Sequence, residues 1–155
     1  MLKDWMGSLY GDFKDRAEAK FFEEHEAAFG FLVAEGFEIR DRNYAHQSFG
    51  NGQLRYEREG LVVEVTRDRG QHRVDFFVST MPGEAFPHWL LRRNLGRPLP
   101  ADAPDLGAPW RAAVVREDLD EVVALLPSDS VEALAQALRD DYKAWFSKKF
   151  GTSRS

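Results

Sequence analysis

The chain has 155 residues, 26 acidic against 21 basic side chains, and no cysteine. That length suits one domain and lets a hydrophobic core form without staples, while the missing cysteines exclude disulfides, zinc ribbons and thiol nucleophiles. The net charge of −5 argues against general nucleic-acid binding, which takes a positive footprint, and no run of about 18 apolar residues predicts a membrane span.

Residues 1–7 lack the apolar stretch of a signal peptide, so the expected location is cytoplasmic. Residues 12–35 predict a helix: Phe21, His25, Ala28, Phe29 and Leu32 recur at helical spacing, with acidic and basic residues around the rest of the wheel. Gly36 stands where a C-cap glycine stands. Gly30, inside the helix, either allows close packing or marks a kink.

Four strands follow. The first begins at residues 37–40 and extends towards Ser48. Residues 49–52 turn the chain into a second strand at 53–57, with Leu54 and Tyr56 on one face. Residues 58–60 lead to a third at 61–67, and 68–71 to a fourth at 72–79. Leu61, Val63, Val65, Val74, Phe76 and Val78 fall inward. Arg55, Glu57, Glu64, Arg73 and Asp75 fall outward. Connections this short cannot make parallel crossovers, so the strands form an antiparallel meander with one apolar and one charged face.

Residues 86–96 predict a short helix closed by Gly96, and 97–110, with four prolines, an irregular surface segment. The next stretch admits two readings: Ala112 to Val115 as a fifth strand, or part of a helix that is clearer from Asp118 to Leu126. Ser128, Asp129 and Ser130 offer N-caps for a last helix to about Lys149, with Val131, Leu134, Leu138, Tyr142 and Trp145 on one side. The whole is an α+β fold: N-terminal helix, four-stranded antiparallel meander, C-terminal helices on one face. Residues 1–150 make one domain and 151–155 a disordered tail.

Motifs of catalysis are missing. There is no Gly-x-Ser-x-Gly elbow, no P-loop and no spaced-glycine dinucleotide fingerprint. His25, His46, His72 and His88 show no i, i+4 pair, so neither a metal site nor a cofactor is expected. His25 reads as a hydrogen-bonded core or boundary histidine rather than a catalytic base, and His72, beside a turn, as exposed. The carboxylate pairs Asp118 and Asp120, Asp140 and Asp141, Glu57 and Glu59 read as solvated faces. Two groups are candidates for partner binding. One is the charged sheet face, with Arg40, Arg42, Arg55, Glu57 and Glu64, which cross-strand ion pairs also explain. The other is Trp89 with Arg92 and Arg93, residue types common at binding hot spots, which also read as a core cap with solvated arginines.

The helix ending in Glu35-Gly36-Phe37, followed by Leu61-Val62-Val63-Glu64-Val65-Thr66-Arg67-Asp68-Arg69-Gly70 and Val74-Asp75-Phe76-Phe77-Val78, resembles small acidic bacterial proteins, among them immunity proteins of polymorphic toxin systems. The similarity covers residues 21–79. It carries no defined functional residues and implies stoichiometric binding of another protein without catalysis. The leading expectation is therefore a non-enzymatic protein that binds and blocks a partner such as a basic toxin. The alternative is a small-molecule-binding domain or an enzyme with a dispersed site, built on an aromatic-lined pocket between sheet and helices.

Overall fold

The computed structural model describes residues 2–46, 50–100 and 103–151, with the side chains of all but 2–10 and 12. Helix α1 (Leu2–Ala28) breaks at Phe29, and the single turn α2 (Gly30–Ala34) continues from it. The break falls beside Gly30, which is the kink reading of that glycine. Gly36 then closes α2 at a φ of +92°, where a side chain is strained.

Strands β1 (Glu38–Ala45), β2 (Asn51–Arg58), β3 (Leu61–Asp68) and β4 (Gln71–Val78) form the expected antiparallel meander in sequence order. Residues 47–49, where the first strand was expected to run on to Ser48, lie outside the described residues. The hairpins at Glu59-Gly60 and Arg69-Gly70 have positive φ at both positions, the turn whose twist matches that of its strands. The sheet has five strands rather than four, because β5 (Phe86–Pro87) pairs with Asp75 and Phe76. It is too short to cover the first half of β4.

The fifth strand is not the one at Ala112 to Val115. That segment belongs to α4 (Ala108–Leu125), where Ala112, Val115, Leu119 and Val122 bury one helical stripe. A four-residue apolar run fits either period when read alone. Helix α3 (His88–Asn94) precedes the irregular segment and α5 (Val131–Phe150) ends the described chain. No hydroxyl caps α5: the Ser128 hydroxyl donates to the Leu125 carbonyl instead. Of the expected tail, residues 152–155 lie outside the described residues.

The core lies between one sheet face and the helices. Leu54, Tyr56, Val63, Val65, Val74 and Phe76 meet Phe29, Leu32, Leu91, Val115, Val122 and Leu138. The inward residues keep strict alternation through β3 and β4, as a half-buried sheet requires. The other face is not uniformly exposed. Asp75, expected outward and solvated, is 5% exposed, since Pro87 is its partner on β5. Its carboxylate accepts a hydrogen bond from Arg73 Nε at 2.9 Å. Burial pushes its pKa up, against the lowering effect of Arg73.

Candidate functional site

The predicted charged face is interrupted by the backbone. β1 pairs Ile39 with Tyr56 and Asp41 with Arg55, so Arg40 is an extra residue in the ladder. The bulge changes the parity of everything after it. Arg42 lands opposite inward Leu54 and its guanidinium reaches Glu26 of α1 at 2.5 Å. It does not join Arg55. The outward row is instead Asp41, Arg55, Glu64 and Asp75. Arg55 lies 3.7 Å from Glu64, Arg40 3.1 Å from Glu38, and Glu57 faces Val62. Arg40 and Glu38 are an exposed pair and Arg55 and Glu64 a half-buried one; an exposed pair is worth about 0–1 kcal/mol.

Trp89, Arg92 and Arg93 part company on α3. Arg92 is 9% exposed and donates to Asp118 at 2.9 Å, so it faces the core rather than a partner. Arg93 makes a two-pronged pair with Asp141 of α5, at 3.0 and 3.1 Å. Trp89 packs on Trp145, ring centres 4.9 Å apart.

Asp118, expected on a solvated face, is fully buried. It accepts from His88 Nε2 at 2.7 Å, Arg92 at 2.9 Å and Arg97 at 2.7 Å. Burial works to raise its pKa, but the hydrogen bonds and charges of His88 and Arg92 outweigh it and hold the carboxyl below its ordinary value. This carboxylate ties α3 and the start of the irregular segment to α4. His88, 2% exposed, has no partner for Nδ1 among the described residues.

His72, expected to be exposed, has only 8% of its side chain accessible. It continues the inward parity of β4. Its ring stands between Asp105, whose oxygens are 3.2 Å from Nδ1, and His25, whose Nε2 is 3.0 Å from its own Nε2. Asp105 also accepts the His72 backbone N–H at 2.5 Å, satisfying an edge of β4 that β5 leaves open. Burial opposes ionisation of Asp105, but the backbone N–H groups of His72 and Gly107, together with the His72 ring, hold its pKa low. His25 is the core histidine that its helical position predicts, with Nδ1 donating to the Phe21 carbonyl at 2.8 Å. Burial lowers its pKa, and the neighbouring charges of His72 and Arg67 lower it further.

Beside His72 opens a cleft of about 350 Å³, walled by β4, by Pro98, Leu99, Pro100 and Ala103, and by all three C-terminal helices. Its lining holds His72, His88, Arg73, Arg93 and Arg111, together with Trp89, Trp110 and Trp145, and includes no carboxylate among the described residues. Arg93 and Trp89 were candidates on sequence; Arg111, Trp110 and Trp145 were not. The adjacent Trp110 and Arg111 are the signal that sequence offered, since they pair the same two residue types as Trp89 and Arg92. Arg111 sits over the Trp110 ring at 4.7 Å and its Nε is buried with no partner among the described residues.

A second feature runs along α5. Tyr142, Phe146 and Phe150, spaced four apart, are 43%, 47% and 57% exposed. Their rings follow one another at 6.1 and 4.8 Å, and Trp145 joins them to Trp89. An apolar groove of about 270 Å³, lined by Phe86, Leu90, Leu138 and Tyr142, continues the row.

Among the described residues no group of three or more His, Asp and Glu is arranged to hold a metal ion, and no helix is long and apolar enough to cross a membrane. Comparison with protein-family models, curated proteins and solved structures finds no match.

Proposed function

We propose that this protein acts by binding another protein stoichiometrically, in the manner of a bacterial immunity protein, and not by catalysis. The observation that carries this reading is the aromatic row of Tyr142, Phe146 and Phe150 on α5. A helix normally turns such a stripe to the core; here it faces outward, next to an apolar groove. Aromatic anchors beside a groove are what interface hot spots are made of. The negative net charge steers approach towards a basic partner such as a toxin. The charged sheet face is a weaker candidate than on sequence alone, because Arg40, Arg42 and Arg55 already have carboxylate partners.

The test is an affinity capture from native lysate with two baits, the wild-type chain and Tyr142→Ser/Phe146→Ser. The expected result is one protein held at near-equal stoichiometry by the first bait and lost from the second, while both melt at similar temperatures. No partner, or equal capture by both baits, ends this reading.

A further inference from the structure

We propose that the cleft beside β4 binds a small organic anion, a carboxylate or phosphate monoester with a flat apolar body, with its charge on Arg111 and its body against the tryptophans. This site is separate from the aromatic row of α5 as a whole, although Trp145 borders both.

The argument begins with charge. Three arginines line a cleft with no carboxylate among the described residues, in a chain that is acidic overall. Two of them are already occupied: Arg73 by Asp75, and Arg93 by both oxygens of Asp141. His72 is held by Asp105. Arg111 is different. It is half-buried and its side chain makes no hydrogen bond or ion pair to the described residues, its contact being the Trp110 face. A guanidinium carries five N–H donors in a fixed fork that fits a carboxylate or phosphate edge. Burying one without a hydrogen-bond acceptor is unfavourable: burial lowers the pKa of Arg111, and the nearby charge of Asp105 offsets that only in part. An anion in the cleft supplies the missing acceptors.

The remaining lining sets the rest of the ligand. Trp89, Trp110 and Trp145, with Pro98 and Leu99, offer flat apolar surface. The Nδ1 of His88, unpartnered among the described residues on a side chain 98% buried by its 2% exposure, belongs to the same lining. The volume is at the lower end for small-molecule sites. One unbonded guanidinium matches one anionic group, so a polyphosphate or a nucleic-acid strand, which needs several cations, is a poor fit.

Three of the four tryptophans line the cleft, so intrinsic fluorescence reports its occupancy. Phenyl phosphate and benzoate are titrated against the full chain, with inorganic phosphate and benzyl alcohol as probes that lack the ring or the charge. The expected result is saturable quenching by phenyl phosphate or benzoate at about millimolar concentration or below. The tighter of the two identifies the anion. Arg111→Gln weakens it at least about tenfold, as loss of a charge-assisted pair does, and Arg111→Lys restores part of the affinity. Ala103→Trp, which fills the cleft from the irregular segment, abolishes binding and keeps the test decisive if an Arg111 variant fails to fold. The proposal is overturned if neither anion binds, if Arg111→Gln binds as well as wild type, or if inorganic phosphate or benzyl alcohol binds as tightly.

Discussion

The Nε2 atoms of His25 and His72 lie 3.0 Å apart, each ring held from its far side by an acceptor. His25 Nδ1 faces the Phe21 carbonyl and His72 Nδ1 faces the Asp105 carboxylate. Neither acceptor has a proton to give, so each of those nitrogens carries one. Burial disfavours a positive charge on His25.

A pH dependence follows for His25. Its folded pKa lies below 6.5, its ordinary value, so the unfolded chain takes up a proton first as pH falls. Stability therefore declines from about pH 6.5 downwards until the folded pKa is reached. The charges that face the ring, on His72, Arg67 and Glu24, are the ones that set how far down that lies. Denaturant unfolding between about pH 5 and 7 should show a shallower slope for His25→Phe than for wild type. Identical slopes would show that His25 does not titrate differently in the two states.

Asp118 is the carboxylate on which α3, α4 and the irregular segment converge. Asp118→Asn leaves the buried Arg92 only the longer, exposed contact to Glu117 at 3.5 Å, and breaking a buried pair costs about 3–5 kcal/mol. The lower end is expected, because Arg97 is 34% exposed and can turn to water. Asp120→Asn, on the exposed side of the same helix, should change stability by less than about 0.5 kcal/mol. Since the folded pKa of Asp118 is depressed, its contribution is present above 3.8 and fades as pH falls through the folded value. Chemical denaturation of the two variants at neutral pH checks the contrast; equal losses would contradict it.

Gly52 of β2 lies beneath the Phe21 ring, and a Cβ there would overlap it. That ring cannot withdraw freely. It is 1% exposed, stacks on His25 at 4.0 Å and lies under the Arg67 guanidinium at 4.7 Å. Gly52→Ala should therefore destabilise the fold by about 1–3 kcal/mol through overpacking, and move the His25 ring signals in an NMR spectrum. Gly70→Ala makes no such overlap, so its ring signals should stay in place. Unshifted His25 signals in Gly52→Ala would mean that the ring has room to move aside.

Local periodicity made the sheet legible. Alternation in Leu61, Val63, Val65 and Val74, Phe76, Val78, with Gly60 and Gly70 at the turns that precede the two runs, specified the strands, their antiparallel order and their buried face. The same alternation, carried one step further, places His72 inward, and the spacing of Val115, Asp118 and Val122 places Asp118 on a buried stripe. Their polarity concealed both, because a polar residue is read as solvated unless its partner is known, and the partners here are 33 and 30 residues away.

What the sequence by itself determined is therefore the α+β class, the meander, the first and last helices and the missing motifs of catalysis, all set by short-range patterns, while Ala112–Val115 stayed open between strand and helix. The tertiary structure alone decided the bulge at Arg40 that separates Arg42 from Arg55, the burial of Arg92, and the meeting of His72, Arg111 and Trp145 around one cleft. The physical reason is range. Strand and helix periods act over a few residues, whereas which charges pair, and which guanidinium is left without an acceptor, depends on chain segments that only folding brings together.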